Sequence, residues 1–286
     1  MLETSPSCAT CVRRAASLLL ALATCASTLA GHADITIIKP SNTGVTGSEV
    51  RVLTFDAEGN LWIVGRWPFW GEIGIAMLPA EELPYTPLPG GGFDTGLWTV
   101  WSNIEHPIPS PYVNDLKFDA DGVIWLASDG GLTRFDRFAA TGEQWKTWNA
   151  SNSPLILNGV RSMDFDADGH LWLTNTEVTT ANGALFEFDP ANETWTIFEV
   201  GDELPWFLPW KNVNAVRVGA NGHVYVTHST LGGFAEYDGK DWVLHDAAVP
   251  LDGILDDTKG NVWFSTSAYG LWRWNGTLFD SWPSIG

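Results

Sequence analysis

Residues 50–62 read Val-Arg-Val-Leu-Thr-Phe-Asp-Ala-Glu-Gly-Asn-Leu-Trp, a phrase that the chain repeats four more times in stricter or looser form. The later copies begin at Val113, Val160, Val213 and Gly253. Each copy carries a glycine at the same place, and these anchors are Gly59, Gly122, Gly169, Gly222 and Gly260. Because neighbouring anchors are 38 to 63 residues apart, we infer one shared structural unit with insertions of variable length.

Each copy contains four short runs of apolar and aromatic residues bounded by Gly, Asp, Asn or Pro, the pattern of short β-strands. In the second copy the runs are Val113–Phe118, Val123–Ala127, Leu132–Asp136 and Gln144–Asn149. The Asp-Ala-Asp-Gly between the first two runs is turn chemistry, because glycine accepts positive φ and aspartate bonds nearby amides. Four strands in roughly forty residues are typical of a propeller blade. The sequence therefore predicts an all-β protein, a β-propeller of five four-stranded blades.

The predicted propeller occupies residues 34–286. Its repeats span about 50–102, 113–149, 160–199, 213–246 and 251–283. The segment Ile35-Thr36-Ile37-Ile38-Lys39 matches a fourth strand, and we predict that it closes the ring. The last repeat already has a fourth strand at 277–282, so residues 35–39 would add a fifth strand, or the natural chain would continue past Gly286. We favour the closed five-bladed ring.

The first 33 residues predict a signal peptide, since Arg13 and Arg14 precede an apolar stretch, Ala15 to Ala30, that is short for a bilayer span. Cleavage after Ala30 or after Ala33 would satisfy the small-residue rule, and we favour Ala33. We expect a secreted protein, periplasmic or extracellular. Lipoprotein anchoring at Cys25 is not expected, because Thr24 fits poorly before a lipobox cysteine.

Composition narrows the classes of partner. With 34 acidic and 15 basic residues, the formal net charge of −19 repels phosphate backbones, so no nucleic acid partner is expected. All three cysteines, Cys8, Cys11 and Cys25, fall in the predicted signal peptide, so we expect no disulfide in the mature chain. No second apolar run is long enough to predict a membrane span. The 17 tryptophans indicate one tryptophan position repeated from blade to blade.

The repeat resembles a known family. Its Phe-Asp-Ala-Asp-Gly-x-apolar-Trp core, followed by Gly-Gly-Leu-Thr-Arg-Phe-Asp at 130–136 and a fourth strand with Trp145 and Trp148, is similar to the two-component regulator propeller repeat. The linker at 149–155 also resembles the linker between blades in that family. The resemblance covers nearly all of residues 34–286. It implies the periplasmic sensing region of a membrane-bound regulator, although similar propellers also occur alone, and we find no kinase segment in this sequence.

Two sets of residues are candidates for ligand binding. Stiff aromatic insertions follow the second strand of the first repeat and join the third repeat to the fourth, and their ring-bearing residues are Trp67, Phe69, Trp70, Trp206, Phe207 and Trp210. We expect these loops either to bind a sugar or an apolar partner surface, or to fold back over blade edges. A polar residue also stands at the head of each innermost strand, and these residues are Arg51, Asn114, Arg161, Asn214 and Asp252. At a channel mouth they would bind a carboxylate or other anionic group, or form a solvated rim.

Catalytic and metal motifs are weak. Asp166, Asp168 and Glu177 fall at EF-hand positions 1, 3 and 12, but Gly169 is at position 4 where that loop needs position 6. We therefore predict no cofactor, and calcium or magnesium stays an open alternative that no motif supports. We expect His223 and His228 to face opposite sides of a strand. The sequence thus favours a binding module that takes a small molecule, a glycan or a protein partner. The alternatives are a carbohydrate-binding module and a metal-dependent enzyme similar to streptogramin lyases, with His228 or His170 beside Glu177.

Overall fold

A computed structural model describes residues 49–66, 73–83, 95–110, 112–176, 183–199, 213–228, 232–257 and 259–282. The predicted signal peptide, the predicted closing strand at 35–39 and both aromatic insertions lie outside these residues. The described residues form twenty β-strands, arranged in five four-stranded antiparallel sheets. The predicted all-β propeller of four-stranded blades is therefore confirmed.

Each sheet is a meander of four consecutive strands. The strands of the first three sheets are β1 (Glu49–Phe55), β2 (Leu61–Arg66), β3 (Ile73–Leu78), β4 (Thr99–Ser102), β5 (Val113–Phe118), β6 (Ile124–Ser128), β7 (Gly131–Phe135), β8 (Trp145–Trp148), β9 (Val160–Phe165), β10 (Leu171–Thr176), β11 (Gly183–Asp189) and β12 (Thr194–Glu199). The strands of the last two sheets are β13 (Val213–Val218), β14 (Val224–His228), β15 (Gly232–Tyr237), β16 (Trp242–Pro250), β17 (Ile254–Asp256), β18 (Val262–Ser265), β19 (Leu271–Trp274) and β20 (Phe279–Trp282). We call the sheets blades 1 to 5.

The first strand of each blade is the innermost one. β1 contacts β5, β5 contacts β9, β9 contacts β13 and β13 contacts β17, so the first strands of neighbouring blades lie side by side. This arrangement brings the heads of the five first strands toward one axis. It is the geometry that gathers residues distant in sequence into one place.

The repeated phrase forms the turn between the first and second strands. In blade 2, Asp119 Oδ1 accepts hydrogen bonds from the backbone N–H groups of Asp121 and Val123, at 3.0 and 2.9 Å. The anchor glycines all have φ between 75° and 86°, which explains why a side chain is absent there: Gly59, Gly122, Gly169, Gly222 and Gly260. The turn is thus specified by one carboxylate and one glycine in every strict copy.

The tryptophan that follows the turn is tied to the same aspartate. The indole Nε1 of Trp62 donates to Asp56 Oδ2 at 2.8 Å, and the same bond recurs as Trp125 to Asp119, Trp172 to Asp166 and Trp263 to Asp257. Blade 4 has Gly219 and Tyr225 at these places, and there the Tyr225 hydroxyl accepts from Asn221 Nδ2 at 2.9 Å. Because the indole N–H has a partner, the ring can be buried without an unpaired polar group.

Each joint between blades is aromatic. In blade 2, Trp125 stacks on Trp148 of the fourth strand, with ring centroids 5.6 Å apart and planes 12° apart. Blade 3 covers this pair with Phe165 and Phe188, at 6.1 and 5.2 Å. One buried cluster therefore contains side chains of both blades, and comparable clusters join blades 1 and 2, 3 and 4, and 4 and 5. The core of the molecule is a series of layers between blades.

In blade 5, the face that carries the stacked aromatic pair is more exposed than the same face of blade 2. Trp263 stacks on Trp282 at 5.2 Å, as the preceding blades would predict. Trp282 is nevertheless 46% exposed, whereas its counterpart Trp148 is 6% exposed. Within the described residues, this last aromatic pair lacks the aromatic cover that blade 3 gives to blade 2.

Candidate functional site

The five polar residues predicted at the heads of the innermost strands line one cavity of about 310 Å³. They come from five different blades: Arg51 on β1, Asn114 on β5, Arg161 on β9, Asn214 on β13 and Asp252 just before β17. Val113, Asp115, Ser162 and Ala215 complete the lining. We call this space the channel-mouth cavity.

The two amides of the cavity hold blades together. Asn114 Nδ2 donates to the backbone O of Val160, and Asn214 Nδ2 donates to the backbone O of Asp252, at 2.9 and 3.2 Å. Asn114 Nδ2 also donates to Asp129 Oδ1 at 2.9 Å. Each amide thus links its own blade to the next one. These side chains are held in place before any ligand arrives.

Two charged side chains of the cavity are available to bind a ligand. Arg161 and Asp252 are both half-buried, and neither side chain makes a hydrogen bond or an ion pair with any residue that the structure describes. Arg51 is exposed and already has an interaction within the protein. An arginine fork and a carboxylate without partners are the groups that a polar ligand can engage most strongly.

The sequence reasoning missed a neighbouring contributor, Asp115. Its Oδ2 accepts from the backbone N–H of Met163 in the next blade at 3.1 Å, and Oδ1 accepts from Leu116 at 2.9 Å. Desolvation raises the pKa of Asp115, although the charge of Lys117 opposes this shift. Ser162 takes the equivalent place one blade later and accepts from Val216 N–H at 3.2 Å. The signal in the sequence was the repeat position directly after Asn114. At this position Asp115 and Ser162 each accept a hydrogen bond from the backbone of the next blade.

Two residues further along the strands lies a belt of charges that satisfy one another. Asp164 is 3.2 Å from Lys117 Nζ and 3.1 Å from Arg217 Nη1, and Arg217 Nη2 lies 2.7 Å from Asp256. Burial tends to lower the pKa of Arg217, but the two carboxylates outweigh burial and raise it. The belt connects blades 2 to 5. Because its charges are paired, it offers no unpaired cation or anion to a ligand.

The two histidines named for the enzyme alternative, His170 or His228, lie in different surroundings. His170 precedes β10, whereas His228 ends β14, the equivalent strand of the next blade, where it is fully buried. His228 corresponds to Asn175 of blade 3, so about 17 Å of strand separates the two positions along the strand direction. His170 Nδ1 lies 2.7 Å from Glu187 Oε1 instead, and this bond raises the pKa of His170. Glu177 lies outside the described residues.

His223 and His228 also have separate surroundings. His223 Nδ1 lies 2.7 Å from Glu236 Oε1, and His245 Nε2 lies 2.6 Å from the other oxygen of that carboxylate. The His245 ring stacks on Phe234 with centroids 4.6 Å apart. Glu236 therefore bridges two histidines at the joint between blades 4 and 5.

Among the described residues, one group of side chains has the composition of a metal site. Asp166, His170 and Glu187 each offer one ligand atom, and these atoms lie within 4.8 Å of one another. Both oxygens of Asp166 already accept hydrogen bonds, Oδ1 from the N–H groups of Asp168 and His170 and Oδ2 from Trp172 Nε1. The same bonds recur in blade 2, where Val123 replaces the histidine. The Asp166 carboxylate therefore has a structural role that needs no metal.

No protein-family model matches the sequence, and no curated protein matches it either. Within the described residues, no helix has the length and apolarity needed to cross a membrane. The class defined by five four-stranded sheets around a common cavity is the β-propeller.

Solved structures share this fold. The extracellular domain of a protein described as a hybrid two-component system from B. thetaiotaomicron aligns with a TM-score of 0.60 and 19% identity, over 84% of this chain and 29% of that one. Virginiamycin B lyase from Staphylococcus aureus, solved with quinupristin, aligns with a TM-score of 0.60 and 12% identity, over 83% of this chain and 71% of that one. PorZ, a surface component of the type-IX secretion system of Porphyromonas gingivalis, aligns at 0.57 and 16% identity, over 85% and 34%.

The chain thus spans less than a third of the solved extracellular domain of the two-component protein and about a third of the solved PorZ chain. The resemblance to two-component regulator propellers, inferred from the repeat, is confirmed at the level of the fold. Identities of this size carry the fold alone, so function has to be argued from the cavity.

Proposed function

We propose that this protein is an exported propeller that binds a small polar ligand in the channel-mouth cavity, in a role like that of a sensor domain. The observation that carries the proposal is the convergence of five polar residues from five blades on one cavity, with Arg161 lacking a partner among the described residues. Water solvates this half-buried guanidinium when the cavity is empty, and a ligand with a carboxylate can replace that water with two parallel hydrogen bonds.

The location supports the same proposal. Ligands of ring-shaped β-folds enter where elements converge, and the lining here comes from the ends of all five first strands. The amides of Asn114 and Asn214 are fixed by bonds to the next blade, so the cavity needs little reorganisation on binding. The predicted signal peptide, together with the extracellular origin of the two-component domain that shares the fold, favours action outside the cytoplasm.

The enzyme alternative has weaker support. A lyase-like centre would need a histidine beside a carboxylate in an open cavity. His228 is fully buried, and His170 lies beside Glu187 and Asp166 at a turn where Asp166 already has a structural role. No histidine is among the described residues that line the channel-mouth cavity. The carbohydrate-binding alternative rests on the aromatic insertions, and the roles of Trp67, Phe69, Trp70, Trp206, Phe207 and Trp210 remain predictions.

The test is thermal unfolding of the purified protein against small carboxylates, amino acids and oligosaccharides, since a ligand that binds the native state raises the Tm. The Arg161→Met variant should lose the shift, and Lys240→Gln, which removes one positive charge from an 85% exposed side chain, should keep it. A ligand whose shift survives in Arg161→Met binds elsewhere and overturns the proposal. If that ligand is an oligosaccharide and its shift disappears in Trp70→Ala or Trp206→Ala, the aromatic loops form the binding site.

A further inference from the structure

Two charges of the channel-mouth cavity have no partner among the described residues, and from them we infer that its ligand is a small zwitterion of the amino-acid class, held by its carboxylate at Arg161 and by its ammonium group at Asp252. This inference rests on the proposed function and names the ligand of the same cavity. It follows from the signs, the surroundings and the fixation of these two side chains.

Arg161 supplies the anion-binding half. It lies on β9, is half-buried, lines the cavity and has no hydrogen bond or ion pair within the described ranges. The belt carboxylate Asp164 does not neutralise Arg161, because Asp164 is already paired with Lys117 and Arg217. A guanidinium with five donors in a planar fork fits a carboxylate with two parallel hydrogen bonds.

Asp252 supplies the cation-binding half. Its backbone is fixed by three hydrogen bonds: its N–H donates to Ser265 O at 2.8 Å, and its carbonyl accepts from Asn214 Nδ2 at 3.2 Å and Thr227 Oγ1 at 3.1 Å. The side-chain carboxylate has no partner in the part of the chain that the structure describes. The Oδ1 of Asn214 also accepts no hydrogen bond there, so an ammonium group would find two acceptors on neighbouring blades.

Net charge distinguishes a zwitterion from simpler ions. The chain carries a formal charge of −19, so its field repels a free anion that approaches Arg161. A simple cation at Asp252 would leave Arg161 without a partner in the same cavity. A molecule with one carboxylate and one ammonium group is neutral overall and satisfies both charges at once.

The size and lining of the cavity restrict the rest of the ligand. A volume of about 310 Å³ is at the lower end of the range for small-molecule sites. Of the nine lining residues in the described part of the chain, seven are polar, and the other two are Val113 and Ala215. The lining therefore favours a small or hydrophilic side chain, such as those of alanine, serine or glutamine.

Calorimetry with three ligands of one size tests the inference. L-Alanine carries both charges, L-lactate lacks the ammonium group and L-alaninamide lacks the carboxylate. We expect the protein to bind alanine, serine or glutamine, and to bind lactate and alaninamide about 10- to 100-fold more weakly than alanine. Arg161→Met should remove the preference for alanine over alaninamide, and Asp252→Asn should remove the preference for alanine over lactate. Lys240→Gln should preserve both preferences.

The outcomes separate the two proposals. If lactate binds as tightly as alanine and Arg161→Met abolishes both, the cavity is the ligand site and the zwitterion inference is wrong. If none of the amino acids binds while another small ligand depends on Arg161, the inference is equally overturned. If no ligand of any class responds to Arg161→Met, the proposed function fails as well. Neither side chain has a partner to lose among the residues that the structure covers, so unliganded variants should unfold at the wild-type temperature, which checks that they are folded.

Discussion

Trp125 donates its indole N–H to Asp119 Oδ2 at 2.9 Å, six residues earlier in the chain, while its ring is 1% exposed. One carboxylate therefore closes a turn and also satisfies the polar atom of the largest side chain in the joint that follows. Four of the five blades contain this pair. It explains why the aspartate, the glycine and the tryptophan keep their spacing when the intervening residues change.

Replacing this carboxylate should destabilise the fold. Asp119→Ala removes the oxygen that accepts two hydrogen bonds in the turn and leaves the buried Trp125 N–H unpaired, so we expect a loss of about 2–4 kcal/mol in the free energy of unfolding. Asp121→Ala in the same turn is the control, because that residue is exposed. Urea unfolding followed by tryptophan emission measures both. Equal midpoints for the two variants would show that the indole bond contributes nothing.

Two equivalent tryptophans should differ in their contribution to stability. Trp148 and Trp282 each stack on the repeat tryptophan of their blade, and each lies near a cation, Lys146 Nζ at 5.0 Å or Arg273 Cζ at 5.5 Å. Since Trp148 is 6% exposed and Trp282 is 46% exposed, Trp148→Ala should cost about 3–5 kcal/mol and Trp282→Ala about 1 kcal/mol. Denaturant unfolding of both variants is the measurement. A similar cost would mean that another part of the chain covers blade 5.

Removing one partner from the belt of charges should lower the free energy of unfolding more than removing both partners of an ion pair. Arg217→Met leaves Asp164 and Asp256 largely buried with one cation fewer, and we expect a loss of about 2–4 kcal/mol. Adding Asp256→Asn to Arg217→Met should restore part of it, because the uncompensated charge is then gone. The double-mutant cycle, measured by thermal unfolding, gives the coupling. Strict additivity of the two changes would contradict direct pairing.

The His170–Glu187 pair should make stability depend on pH. The hydrogen bond to Glu187 raises the pKa of His170 above its ordinary 6.5. The folded state therefore binds the proton more tightly than the unfolded state, so the contribution is complete below about pH 6.5 and disappears as the pH rises through the folded-state pKa. His170→Gln should destabilise by less than about 1 kcal/mol in mild acid, because the pair is near the surface, and by less in alkali.

Unfolding of wild type and His170→Gln across this pH range measures the difference. Glu187→Gln should show the same dependence on pH, since either change removes the charged pair. A difference that is constant with pH would show that protonation of His170 is not linked to folding.

The fold could be predicted because the residues that specify each blade lie close together in the sequence. The turn of Asp119 and Gly122 and the tryptophan after it lie within seven residues, so pattern and spacing suffice. Strand boundaries could also be predicted from the sequence. The strand Val113–Phe118 was predicted and found, and the next strand begins at Ile124, one residue later than predicted. The register of the turn accounts for that residue, because Val123 donates its N–H to Asp119 and belongs to the turn.

The candidate site could be predicted only in part. Arg51, Arg161 and Asp252 stand at the same position of their repeats, and this position brings them to one cavity. Repeat positions can be read from the sequence, so the sequence could predict that these residues converge. Which of these side chains has a partner depends on contacts between residues far apart in the chain, such as Asn114 with Val160, 46 residues away. The sequence therefore could not distinguish the amides that hold blades together from the charges that remain available.

The joints between blades have a consequence for how such a chain can change over generations. Each joint places a stacked aromatic pair of one blade against aromatic or apolar residues of the next, and the chain leaves a blade at its outer strand to begin the next at its inner strand. An in-frame duplication of one copy would therefore present a compatible surface on both sides. The ring can lengthen or shorten by whole blades while the neighbouring blades keep their packing, and each such event would add or remove one residue at the rim of the cavity.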